Sequence, residues 1–184
     1  YQKMKAYSKA LQAYEQADLL KPDHVWTLKQ MAQCNKRQQQ YQKALECLYK
    51  IESMQPENLN LLLQIGQCLA NLRMYDKALT YFFKVEYLDK APANAQRAIG
   101  WCYFMTGKYD DANRFFDKLL RSDESQSSDW LNAGHVYLAQ NNIQRALECY
   151  RHVESTCKTH DEFMKLYLAD KAALLEQGIL EENI

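Results

Sequence analysis

Between residues 149 and 160 the chain reads CYRHVESTCKTH, which sets Cys149, His152, Cys157 and His160 in the order C-x2-H-x4-C-x2-H. Thiolate and imidazole are common zinc ligands, so a metal centre would be sought here first. The spacing argues against one. On a continuous helix the four residues would span about 16 Å at the usual rise per residue, whereas zinc–ligand bonds are only about 2.0–2.3 Å long. They converge only if a helix ends just after His152, and the surrounding pattern predicts helix to about Thr156. No metal site is expected. Catalysis has no better foothold: His24, His135, His152 and His160 recur with no serine, cysteine or carboxylate partner at equivalent positions. There is no glycine-rich phosphate loop either, because each glycine has a structural use. We expect neither enzyme activity nor a cofactor.

Six cysteines remain to be accounted for: Cys34, Cys47, Cys68, Cys102, Cys149 and Cys157. Three of them, Cys34, Cys68 and Cys102, fall at one regular interval. Equivalent points in stacked helices lie about 10 Å apart, and a disulfide needs its Cα atoms within about 7 Å. That column cannot pair with itself. Six free thiols, packed as small apolar side chains, are expected, and with them a reducing, cytoplasmic location.

The interval belongs to the whole chain. YQKAL at 41–45 returns as YDKAL at 75–79, and an alanine stands at Ala10, Ala44, Ala78, Ala112 and Ala146, always 34 residues on. Three residues before it come Tyr7, Tyr41, Tyr75, Tyr109 and Ile143; four after it come Tyr14, Leu48, Phe82, Phe116 and Tyr150. A fixed period of this length marks a stacked array in which each unit needs its neighbours to bury an apolar face, so one domain is expected. Each period holds two apolar runs at helical spacing, such as Leu62, Ile65, Gly66 and Leu69, then Tyr75, Ala78, Leu79 and Phe82. Two antiparallel helices per period follow. Gly66, Gly100 and Gly134 share one first-helix column, with Ala32 one period earlier. Glycine inside a helix costs about 1 kcal/mol against alanine, so its recurrence implies a neighbouring helix too close for a side chain.

At 184 residues, 47% hydrophobic and 25% charged, the chain reads as folded and soluble. No run approaches the roughly 18 apolar residues of a membrane span. It begins at Tyr1, in mid-period, and is expected to be a piece of something longer.

Trp130, Ala133, Gly134 and Tyr137, followed by Ala146 and Tyr150, fit W-x2-L-G-x2-Y…A-x3-F with alanine for the leucine, and on these residues the chain resembles the tetratricopeptide repeat family. The resemblance implies an all-α fold of helix-turn-helix repeats stacked in a right-handed superhelical solenoid. Its divisions would be a partial repeat at 1–24, complete repeats at 25–58, 59–92, 93–126 and 127–160, and a truncated terminal repeat at 161–184. There GILEENI at 178–184 corresponds to GKYDDAN at 107–113 after three extra residues near STCKTHDE.

In such arrays the first helices form a concave wall. On the first helix of repeat 25–58, Leu28, Met31, Ala32 and Asn35 would face neighbouring helices, and Trp26, Lys29, Gln33 and Lys36 would lie about 150° round, in the groove. The groove candidates are Trp26, Lys29, Gln33, Lys36, Arg37, Gln64, Gln67, Arg97, Trp101, Phe104, Asn132 and His135. The overall charge is zero, but the first-helix halves with their turns carry Lys29, Lys36, Arg37, Arg73, Arg97 and Lys108 against Asp129 alone. An acidic protein or peptide partner is expected, with an apolar anchor against Trp101 and Phe104 and acidic groups near Arg97. Nucleic acid and membrane are not expected. The carboxylate clamp known in the family would fall on Lys29, Gln33, Gln64, Asn94 and Ala98; only the lysine matches, so the clamp is not carried over. The expected function is a non-catalytic protein-interaction module, the alternative an architectural spacer or self-association segment of a larger protein.

Overall fold

In a computed structural model the described residues are 2–89 and 92–181, with side chains from residue 6 onward. Tyr1 of the polar opening stretch, the last three residues of GILEENI, and Lys90 and Ala91 within repeat 59–92 lie outside them. Among the described residues there are helices and no strand. They are α1 (Gln2–Leu20), α2 (Val25–Arg37), α3 (Tyr41–Met54), α4 (Leu59–Asn71), α5 (Tyr75–Leu88), α6 (Ala93–Met105), α7 (Tyr109–Leu120), α8 (Ser127–Ala139), α9 (Ile143–Thr156), α10 (His160–Ala169) and α11 (Lys171–Glu176). None is long and apolar enough to cross a membrane. The first helices α2, α4, α6 and α8, and the second helices α3, α5, α7 and α9, each begin at the interval the alanine column predicts.

The interval is held by a repeated turn. Each first helix ends with a residue in the left-handed region, Gln39, Arg73, Gly107 and Asn141, at φ between 59° and 71°. The next amide reaches back five residues: Gln40 N to Asn35 O at 2.8 Å, and Met74 N to Leu69 O, Lys108 N to Tyr103 O and Asn142 N to Tyr137 O at 2.9 Å. This closes the free carbonyls of a helix end and reverses the chain. Only one of the four is glycine; at the other three the turn holds an ordinary side chain in a conformation it seldom adopts.

Chain contacts gather into two compact units, Tyr1–Lys90 and Ala91–Ile184. In the first, α1 to α5 pack in sequence on a core that includes Ala44, Leu48, Ile51, Leu62, Ile65, Ala78 and Phe82. In the second, α6 to α9 bury Ala112, Phe116, Ala146 and Tyr150 in the same way. The glycine column has the expected reason. A Cβ on Gly134 would stand 2.5 Å from Tyr150 Cε1, and one on Gly100 3.0 Å from the Phe116 ring. In the first unit Gly66 is pressed equally closely by Phe82.

The end of the chain departs from the expected terminal repeat. α10 starts at His160, one residue ahead of the interval, capped by the Thr159 hydroxyl, which accepts from Glu162 N, so the extra residues do not lie in STCKTHDE. The helix instead breaks at Asp170 and resumes as α11, which ends in the same left-handed turn at Gly178, with Ile179 N bonded to Leu174 O. The break redirects the last stretch. Gln177 accepts from the Tyr109 hydroxyl at 3.0 Å and donates to Met105 O at 3.4 Å, about two periods back along the chain.

Candidate functional site

In the first unit, α2 and α4 present the predicted columns to solvent. Leu28, Ala32 and Asn35 are buried and Met31 half-buried, while Lys29, Gln33, Arg37 and Gln67 are exposed. Lys36 is half-buried, and its Nζ donates to Gln64 Oε1 at 3.1 Å, tying the two helices together; Gln64 Nε2 donates in turn to Asn60 Oδ1 at 3.2 Å. Lys29, Gln30, Gln33, Lys36, Arg37, Tyr41 and Gln64 line a cleft of about 540 Å³. Three of these side chains are cationic, three are amides, and no carboxylate is among them. Trp26 is 56% exposed, with the Tyr14 ring edge-on at 5.7 Å.

The second unit corrects the groove expected there. Phe104 and His135 are fully buried, so neither meets solvent. Trp101 is half-buried with its ring 5.3 Å from that of Phe104, and Asn132 is half-buried on α8. The cause is the redirected terminal segment. Leu174 and Ile179 share one apolar core with Phe104, and Tyr167 lies 5.6 Å from the His135 ring. His135 Nδ1 is 3.0 Å from the Tyr150 hydroxyl, whose ionisation burial pushes well above its usual range. His135 Nε2 stands 3.4 Å from Asp170 Oδ2. That contact does not make a hydrogen bond, and the buried nitrogen has no hydrogen-bond partner.

Arg97 is also committed within the fold. Its Nε and one terminal nitrogen grip Asp129 at 2.7 and 3.0 Å, and it donates further to Asn94 Oδ1 and to Glu124 O. Asp129 is fully buried and accepts from Gln126 N at the start of α8, so the pair joins α6 to the next first helix. It does not present a free charge for a partner, as the sequence reading had placed it. Asp129, Asp170 and Tyr109 were not foreseen as partners of Arg97, His135 and Phe104.

The cysteine–histidine stretch does not converge. α9 continues through His152 to Thr156. Cys149 is buried, its thiol pushed up to about 11 by burial; the His152 ring stacks on Trp130 at 4.1 Å, and His160 Nδ1 lies 2.8 Å from Glu154 Oε1. All six cysteines are free thiols. Burial raises Cys102 to about 12.

A family model described as tetratricopeptide repeat matches residues 95–123, and a second of the same description matches residues 130–160. Among solved structures, YrrB, a "TPR protein with an unusual peptide-binding site", is 21% identical; 90% of this chain and 85% of that one are covered at a TM-score of 0.69. TTC0263, a thermophilic TPR protein in Thermus thermophilus, is 19% identical over 92% and 91% of the chains at 0.69. MamA from Desulfovibrio magneticus RS-1 is 18% identical over 83% and 88% at 0.74. No curated protein sequence matches the chain. The chain thus carries two tetratricopeptide repeats, at residues 95–123 and 130–160, and shares its fold with solved tetratricopeptide repeat proteins.

Proposed function

We propose that this chain is a non-catalytic protein-interaction module that takes an acidic peptide segment on the first-helix face of its first unit. The observation that carries the reading is the cleft between α2 and α4, where Lys29, Lys36 and Arg37 converge with three amide side chains and no carboxylate. Cations steer an acidic segment in, and the amides supply hydrogen bonds to its backbone. Trp26, exposed at the start of α2, offers an apolar surface beside the charges. A peptide-binding site is named for YrrB, a structure of the same fold, and the present site is argued from its own residues.

The test uses two fluorescein-labelled ten-residue peptides, one alternating Glu with Leu and one in which Gln replaces every Glu. We expect the acidic peptide to bind, the neutral one to bind at least about ten-fold more weakly, and Lys36→Glu with Arg37→Glu to remove the difference. Arg114→Glu, on an exposed stretch of α7, should leave binding unchanged. Equal binding of both peptides, or a charge-reversed chain that binds as the parent does, would refute the assignment and favour a spacer role.

A further inference from the structure

The face of α6 and α8 is not vacant; the chain's own terminal segment sits on it. Its lining also differs in kind from the open face of the first unit. The column that holds Gln33 and Gln67 there holds Trp101 and His135 here, and the column of Lys36 and Ala70 continues as Phe104 and Leu138. Amides and a lysine give way to rings and apolar side chains where the terminal segment lies.

We infer that this face is a second binding surface, that residues 170–180 are its intramolecular ligand, and that a partner segment displaces them by carrying an acid, then leucine and glutamine four and seven residues further on in a short helix and its cap, and isoleucine two residues later, past a left-handed turn. The spacing is that of the occupant itself. Asp170 faces His135, Leu174 is fully buried beside Phe104 in one core, Gln177 bonds both Tyr109 and Met105 O, and Ile179 closes the apolar contact. Two features make the occupant displaceable. α11 has only six residues, and helices shorter than about 12 residues are marginal on their own, so it is held by contacts rather than by its own stability. Its opposite side is open, with Leu175 43% and Leu180 60% exposed.

The fit is also incomplete. Buried polar atoms in folded proteins are nearly always paired, yet His135 Nε2 lacks a hydrogen-bond partner, with Asp170 Oδ2 standing 3.4 Å away. A partner whose carboxylate lies in line with that nitrogen gains a bond that the chain's own segment forgoes. Competition between the two ligands makes this surface responsive to partner concentration. This surface is separate from the cleft of the first unit, and either site can fail without the other.

The test uses a fluorescein-labelled peptide of residues 168–181 and two full-length chains, the parent and a variant carrying Leu174→Asp and Gln177→Ala. A segment seated about 90% of the time lowers the apparent affinity of a competitor about ten-fold. The peptide should therefore bind the variant at least about ten-fold more tightly than the parent, and adding Trp101→Ala to the variant should abolish the gain. Affinities for parent and variant within about two-fold, whether strong or absent, would overturn the inference. Amide exchange of the parent decides the matter if the variant does not fold. Amides 171–176 should exchange at least about ten-fold faster than those of α8, and equal protection of the two would show α11 to be an integral part of the fold.

Discussion

Replacing Arg97 by alanine tests whether this side chain belongs to the fold rather than to a partner. Asp129 is fully buried and Arg97 only 16% exposed, with two nitrogen–oxygen contacts of 2.7 and 3.0 Å. Removing one member of a buried, hydrogen-bonded ion pair leaves a carboxylate in low dielectric without its counter-charge, at a cost of about 3–5 kcal/mol. Gln126 N still donates to Asp129, and the carboxylate can gain water where the guanidinium stood, so we take the lower end, about 3 kcal/mol. For a chain of this length about 1 kcal/mol moves the melting temperature by about 2–4 °C, which gives a fall of about 6–12 °C. Thermal unfolding followed by helical circular dichroism measures it. Arg114→Ala is the comparison, because the Arg114–Asp111 contact is 3.6 Å long with Arg114 81% exposed, and exposed pairs of that kind contribute about 0–1 kcal/mol. The double variant Arg97→Ala with Asp129→Asn should recover part of the loss, since it removes the orphaned charge. If Arg97→Ala melts within about 1 °C of the parent, the pair is not structural and the reasoning fails.

Gly134→Ala should destabilise by about 1–2 kcal/mol despite alanine's better helix propensity, because the new methyl would meet Tyr150 ring atoms at 2.5 and 2.8 Å. Gly100→Ala, whose methyl meets the Phe116 ring at 3.0 Å, should cost less; urea midpoints rank the two, and a stabilised Gly134→Ala would contradict the packing argument. Alkaline pH should also weaken the fold: burial raises Cys102 from 9.0 to about 12 and Cys149 to about 11, so the native chain keeps protons that the unfolded chain releases. The sign follows directly, with the urea midpoint falling as pH climbs from about 9 toward 11, and a level or rising midpoint would refute it.

The helices were legible because their signal repeats. Tyr41, Tyr75, Tyr109 and Ile143 each open a second helix, and the glycine column reads in the sequence as a neighbouring helix too close for a side chain, which in the structure is the Phe82, Phe116 and Tyr150 rings. Placing columns on opposite sides of α2 worked for the first unit, where Lys29 and Gln33 are exposed and Leu28 and Ala32 are buried. It failed for Phe104 and His135 because helical periodicity tells which way a residue points, not what the chain later lays over it. Nothing in LADKA marks the break at Asp170, which has neither proline nor glycine beside it. The Arg97–Asp129 pair was visible in outline, as the lone acid among the first-helix halves, but charge counting treated the two as separate when their geometry makes them one neutral unit.

The left-handed residues Gln39, Arg73, Gly107 and Asn141 bear on how such a chain can change its length. Since each turn hands an equivalent second helix to an equivalent first one, an unequal crossover between two copies of the coding sequence that adds or deletes a whole period rejoins the array in register. A one-codon insertion has no such neutrality. It swings every following position of the helix by about 100°, which would drive a column such as Lys29 toward the interior and bring Leu28 out. Growth by duplication is thus mechanically tolerated where growth by small insertions is not, and irregular lengths are confined to places such as the Asp170 break, beyond the last complete pair of helices.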